Sequence, residues 1–241
     1  MIHRLALIAF LICPIITSLS QSDANTPVKP RKGRPNIPGT IMVDFGLNFP
    51  FNTPPDFTTG VWGSRTVNLY YFVDKRIGNS KFSVHPGAGF GLERYKFTNN
   101  YTLAFGTVPE TQDRVFMVPT TLDVSKSMLI SNYFDALMDF RFTVNPSDPN
   151  RSFKVSLGIK GGYLFDSGTK LRYREDGETK RLKDKQNWNL SPFRYAATFR
   201  IGIGNFSLFA TYNINPVFEK GLGPGQADFN NFTTGISLAA F

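Results

Sequence analysis

Ser83, His85 and Glu93 come nearest to a catalytic set in this 241-residue chain. Side chains alternate along a strand, so Ser83 and His85 share one face, with the Glu93 carboxylate further along it. Hydroxyl, imidazole and acid are the parts of a lipid-cleaving Ser-His-acid site. The same parity turns all three into the interior, where a lumenal hydrogen-bonding histidine is by far the better account, and no catalytic residue is expected. Metal chemistry lacks ligands. His3 and the single cysteine, Cys13, both lie in the N-terminal apolar segment, leaving His85 as the only histidine after that segment is removed. A multi-histidine metal site and a disulfide framework are thereby excluded. GLGPGQ at 221–226 is a glycine-proline loop with no helix behind it to make a phosphate cradle, and no cofactor is expected.

A second set of residues is charged. Asp44, Glu93, Asp135 and Asp139, with Arg141, Lys154, Lys160, Arg194 and Arg200, all occupy the polar parity of segments whose other parity is aromatic and aliphatic. Such charges serve either as an ion or solute path or as a mutually neutralising network in a sealed interior. The elements that carry them favour the second use. In FRYAATFRIGIGNFSLFATYNI, residues 193–214, two alternating runs meet at Gly204-Asn205, a pair suited to a tight hairpin turn. Upstream, Phe153, Val155, Leu157, Ile159, Gly161, Tyr163 and Phe165 alternate with Lys154, Ser156, Gly158, Lys160 and Gly162, over more residues than an ordinary soluble strand has. Long strands with one aromatic face and one cationic face fit a bilayer, with lipid on the apolar side and a closed lumen on the other. An Arg or Lys on the lipid face at mid-depth costs ~2–4 kcal/mol, so the alternation turns the charged set inward.

The same alternation predicts further strands at 40–49, 65–74, 82–97, 128–144 and 232–241. Gly87, Gly89 and Gly91 on the lumenal parity of 82–97 leave room for large side chains opposite. The first, third, fifth and seventh connections are long and the others short, as in outer-membrane barrels with surface loops and periplasmic turns. The prediction is an all-β, antiparallel up-and-down transmembrane barrel of eight strands. Ten is the alternative, if 101–122 forms a hairpin, and the charged run 172–186 reads as a loop with strand extensions. An eight-stranded lumen is about wide enough for side chains to fill, so a plugged barrel is expected.

Residues 1–20 read as a cleaved signal peptide, with Arg4 ahead of an apolar run and Ser18-Leu19-Ser20 at the cleavage site. Residues 21–38 form a basic, proline-rich periplasmic leader, and 39–241 the barrel. No stretch approaches the ~20 apolar residues of a spanning helix. A net charge of +9 raises the question of nucleic acid. Export argues against it, and anionic lipid head groups are the expected counterpart.

Three segments carry a family resemblance: RPNIPGTIMVDFGLNF at 34–49, GGYLFDSGTKLRYREDGETKRLKDKQNWNLSPFRY at 161–195, and GNFSLFATYNINPVFEKGLGP at 204–224. The chain resembles the PorT-like outer-membrane β-barrel proteins of the Bacteroidota. The resemblance implies an outer-membrane barrel and, as in the founding members, an accessory part in type IX protein secretion with secretion or envelope proteins as partners. Terminal Phe241 is the expected handle for the barrel-assembly machinery, although its own parity carries Ala239, Ser237, Gly235 and Thr233, so either a bulge shifts the phase or Phe241 lies beyond the last paired residue. The expected function is that of a monomeric, non-enzymatic structural or interaction component. A narrow channel favouring anions through Lys154, Lys160, Arg194 and Arg200 is the alternative, and a lipid-modifying enzyme the third reading.

Overall fold

The computed structural model describes residues 39–98, 100–106, 109–111, 113–148 and 151–240. The expected signal peptide, the basic leader and Phe241 lie outside the described residues. The strands are β1 Thr40–Phe51, β2 Arg65–Phe72, β3 Lys75–Arg76, β4 Phe82–Phe97, β5 Tyr101–Phe105, β6 Val115–Pro119, β7 Asp123–Thr143, β8 Phe153–Glu175, β9 Glu178–Asp184, β10 Phe193–Ile203, β11 Phe206–Asn213 and β12 Asn230–Ala240. Eight of them close a ring in the order β1-β2-β4-β7-β8-β10-β11-β12, every pairing antiparallel, with β12 returning to β1. Closure leaves no ring strand with an unpaired edge in hydrocarbon, which a spanning sheet requires.

The hairpin expected within 101–122 exists as β5 and β6, but it forms its own two-stranded sheet, so the barrel has eight strands and not ten. The fourth ring strand starts at Asp123, five residues before the expected boundary. The charged run 172–186 is paired strand for most of its length, because β8 continues to Glu175 and returns as β9. Its turn, Asp176-Gly177, takes positive φ at both residues, 53° and 79°, the conformation that Asp-Gly favours in a two-residue hairpin loop. At Gly204-Asn205 the glycine alone takes positive φ. Pairing of β12 with β1 runs from Asn230 to Ala240 without a bulge.

A β-bulge decides which way the upper part of β8 faces. Phe165 and Asp166 together oppose Asn132, and the inward parity changes from even positions up to Leu164 to odd positions from Ser167 onward. Lys170 and Arg172 therefore face outward, while Thr169 and Leu171 face in. Below the bulge, Phe45, Leu69, Phe90, Phe134, Leu157 and Leu208 are among many large apolar side chains exposed on the outside of the ring. From Phe134 to Val144, at ~3.4 Å per residue and ~40° of tilt, the outward residues cover about 26 Å of height, the scale of an outer-membrane apolar band.

The two ends differ. Three short connections and both ends of the paired barrel wall, Thr40 and Ala240, lie at one end; four long connections lie at the other. Those long connections form an apolar core of their own. Phe57, the β5–β6 hairpin with Leu103 and Val115, Trp188 with Leu190, and Val217 with Phe218 and Phe229 pack over Tyr95, Phe97 and Leu129 of the strands. Phe57 packs against Phe229 with the rings tilted, 4.6 Å between centroids, and edge-on to Phe97 at 5.1 Å. The result is a capped mouth.

Candidate functional site

Within the ring the inward parity builds two arginine centres, one above the other. Arg194 on β10 and Asp135 on β7 both pair with Gly162 of the strand between them. Gly162 has no side chain to separate them, and a Cβ there would run into both. Across that gap Arg194 donates Nε to Asp135 Oδ1 at 3.0 Å and Nη2 to Oδ2 at 2.6 Å. Nη1 donates to Glu93 Oε1 at 2.5 Å. Tyr70 and Tyr95 each donate a hydroxyl hydrogen bond to one of the acids, Asp135 at 2.8 Å and Glu93 at 3.0 Å. The guanidinium stacks on the Tyr133 ring, 4.1 Å from its centroid. All of these groups are buried. A planar, five-donor guanidinium suits such a fork between two carboxylates.

The second centre repeats the device closer to the short turns. Arg200 donates to both oxygens of Asp44, at 2.8 and 3.0 Å, and to Ser237 Oγ at 3.0 Å. Asp44 also accepts from Ser237 at 2.6 Å and Asn68 at 3.3 Å. Asp139 is more loosely held, with its Oδ2 3.4 Å from Arg200 Nε and no hydrogen bond to either atom of that contact. Its other oxygen accepts from Thr198 at 3.2 Å across Gly158, the second glycine gap in β8. Met42, Phe72, Leu137 and Phe209 fill lumenal space with their buried side chains. Toward the cap, Asn48 Oδ1 gathers Thr66, Thr233 and Asn231.

The nine charges named from sequence thus separate. Asp44, Glu93, Asp135, Asp139, Arg194 and Arg200 form the two centres. Lys160 is buried beside them, its charge facing Asp135, Glu93 and Asp44, but no carboxylate among the described residues lies within 4.0 Å of it. Arg141 and Lys154 stand at the short-turn mouth, bonded to Ser156 Oγ at 3.1 Å and Gly204 O at 3.0 Å. They line a cavity of about 110 Å³ with Asp74, Ser156 and Arg200.

Ser83 and His85 are at that mouth too. Ser83 Oγ is 2.8 Å from His85 Nε2, and Asp74 Oδ1 is 3.5 Å from the same nitrogen. A catalytic triad requires hydroxyl and acid on opposite ring nitrogens, so this arrangement cannot relay a proton through the ring. Glu93 is engaged far away by Arg194 and Tyr95.

Sequence reasoning did not single out an outer feature. Arg65, Arg94, Lys126, Lys170 and Lys183 belong to five different strands and share the outward face just above the apolar band. Their groove, about 360 Å³, is lined with apolar Met128 and Ile130. At the exposed tip, Lys180 donates to Glu175 Oε2 at 2.7 Å, which holds its ammonium above the ordinary lysine value. The bulge at Phe165 hides part of this face, since without it Lys170 and Arg172 fall on the lumenal parity, and Lys183 lies in the run 172–186 that the sequence alone presents as a loop.

The family model for the outer membrane protein beta-barrel domain matches residues 16–219. No curated protein matches the chain. Among solved structures, the chain is similar to that of Ail, the attachment invasion locus protein of Yersinia pestis, in complex with the heparin analogue sucrose octasulfate. That similarity is 13% identity at a TM-score of 0.34, over 85% of this chain and 100% of the other.

Proposed function

As a member of the outer membrane protein beta-barrel domain family, the chain is an outer-membrane β-barrel protein, and we propose that it works as a sealed, non-enzymatic interaction component of the envelope. The observation that carries this reading is the blocked lumen: two arginine centres fill its middle, and an apolar core of four long connections covers one mouth. A barrel closed in this way acts through its surfaces. The long connections face the cell exterior in this reading and both barrel termini face the periplasm, in keeping with the length rule for outer-membrane connections. The resemblance to PorT-like barrels supports an accessory role in type IX secretion or envelope assembly.

Against the anion-channel alternative stands the engagement of Arg194 and Arg200 with carboxylates, which takes both of them out of any row of free cations for an anion to follow. Against lipid hydrolysis stands the crowding of Ser83 and Asp74 onto one imidazole nitrogen.

Planar-bilayer recording of the purified barrel tests the sealed reading, and no unitary conductance is expected. Steady ion-selective steps that weaken on Arg200→Gln would replace it with the channel. Cross-linking in the native membrane then tests the interaction role, with a stoichiometric envelope partner expected; recovery of the barrel alone would remove the accessory assignment.

A further inference from the structure

Among the described strands of this barrel, outward-facing cations are confined to one wall. On β4 the outward series runs Phe82, Val84, Ala88, Phe90 and Leu92, then changes to Arg94 and Lys96. Across the strands the cations meet one another: Arg65 lies opposite Arg94, Lys126 opposite Arg172, and Lys170 opposite Lys183. Like charges placed directly opposite are destabilising unless something neutralises them. Within the groove they line, the two acids are already engaged, Asp166 by Asn132 and Lys185, Asp184 by Gln186. On the other wall, β10, β11, β12 and β1 carry no outward Lys or Arg at all; their only two arginines, Arg194 and Arg200, point into the lumen.

We propose that this groove binds the phosphorylated glycolipid of the surrounding outer leaflet, its cations taking the headgroup phosphates and its apolar floor receiving the lipid beneath them. Height, charge and floor agree on that occupant. Arg65 and Arg94 sit immediately above the apolar band, where lipid phosphates lie, and Lys126, Lys170 and Lys183 continue upward from them. Met128 and Ile130 add an apolar surface that a free anion would not need. A barrel holding one leaflet lipid on one side has a fixed rotational setting for any envelope partner. The inference rests on the reading that the long connections face the exterior, because the phosphoglycolipid is a component of that leaflet.

The mature protein in phosphatidylcholine nanodiscs containing bisphosphorylated lipid A tests it by native mass spectrometry. The wild type is expected to retain lipid A, to lose it between 50 mM and 500 mM salt, about 14 Å to 4 Å of screening length, and to show no enrichment of dephosphorylated lipid A. The Lys126→Gln/Lys170→Gln/Lys183→Gln variant should retain at least tenfold less. Arg141→Gln/Lys154→Gln, which removes two cations from the opposite mouth, should retain as much as the wild type. Equal retention by the triple variant, or equal binding of the dephosphorylated lipid, would overturn the proposal. Where the triple variant does not fold, the salt and dephosphorylation arms on the wild type decide it. A protease-cleavable tag at Asp176-Gly177, cut in intact cells only if the long connections are external, tests the orientation separately.

Discussion

Inside the barrel, Arg194 meets Glu93 and Asp135, and Arg200 meets Asp44 and Asp139. Outside it, on strands of the same ring, Lys126, Lys170 and Arg94 stand beside further cations, and the nearby acids already have partners. The difference follows from where a charge can be tolerated. In a lumen closed to solvent an unpaired charge is strongly unfavourable, so Arg194 and Arg200 in its middle are each met by carboxylates from neighbouring strands. Above the apolar band water and lipid phosphates are available, and protein counter-charges are unnecessary. The cations that stand without a protein counter-charge above the apolar band therefore belong to the outer wall and not to a conduction path.

Removing a lumenal arginine tests this contrast most severely. Arg194→Ala leaves two buried carboxylates with one tyrosine hydroxyl each, and a loss of about 3–5 kcal/mol is expected from urea titration of the folded band in lipid vesicles. Arg200→Ala should cost less, about 2–3 kcal/mol, because Ser237 and Asn68 continue to donate to Asp44 and Thr198 to Asp139. Equal losses at the two sites would mean that the neutral donors do not compensate.

Much of this arrangement is legible in the alternation of polar and apolar residues. It places Asp135, Arg194 and Gly162 on the same side of their strands, and the hairpin at Gly204-Asn205 follows from its turn residues. It cannot state that Asp135 and Arg194 meet across Gly162, because barrel shear sets the register between strands and leaves no local trace. The bulge at Phe165 is equally silent, so the outward turn of Lys170 and Arg172 leaves no mark in the alternation, and the run 172–186 that carries Lys183 reads as a charged loop. The cap draws Phe57, Trp188 and Phe218 from segments without periodicity, where composition marks a loop and gives no packing partner. Tyr70 and Tyr133 fell on the correct parity, but their roles beside Arg194 depend on the same unseen register.

Smaller effects separate the two faces more finely. Gly162→Ala puts a methyl against Asp135 and Arg194, and a loss of about 1–3 kcal/mol is expected as the pair is forced apart. The same change at Gly161, whose Cβ would meet nothing within 4 Å on the outer face, should be nearly silent. A matched loss at both glycines would point to strand propensity and away from the lumenal gap.

The weakest stability effect belongs to the outer wall. Lys170→Gln and Lys183→Gln, measured by urea titration in neutral phosphatidylcholine vesicles, should each stay within about 0.5 kcal/mol of the wild type, as for exposed sites without a required partner. A small gain is the expected sign, because each substitution relieves repulsion between two directly opposed lysines. If either substitution instead destabilised the barrel as Arg200→Ala does, these lysines would have to be answered from within the protein, and the division between a neutralised interior and an unneutralised wall would fail.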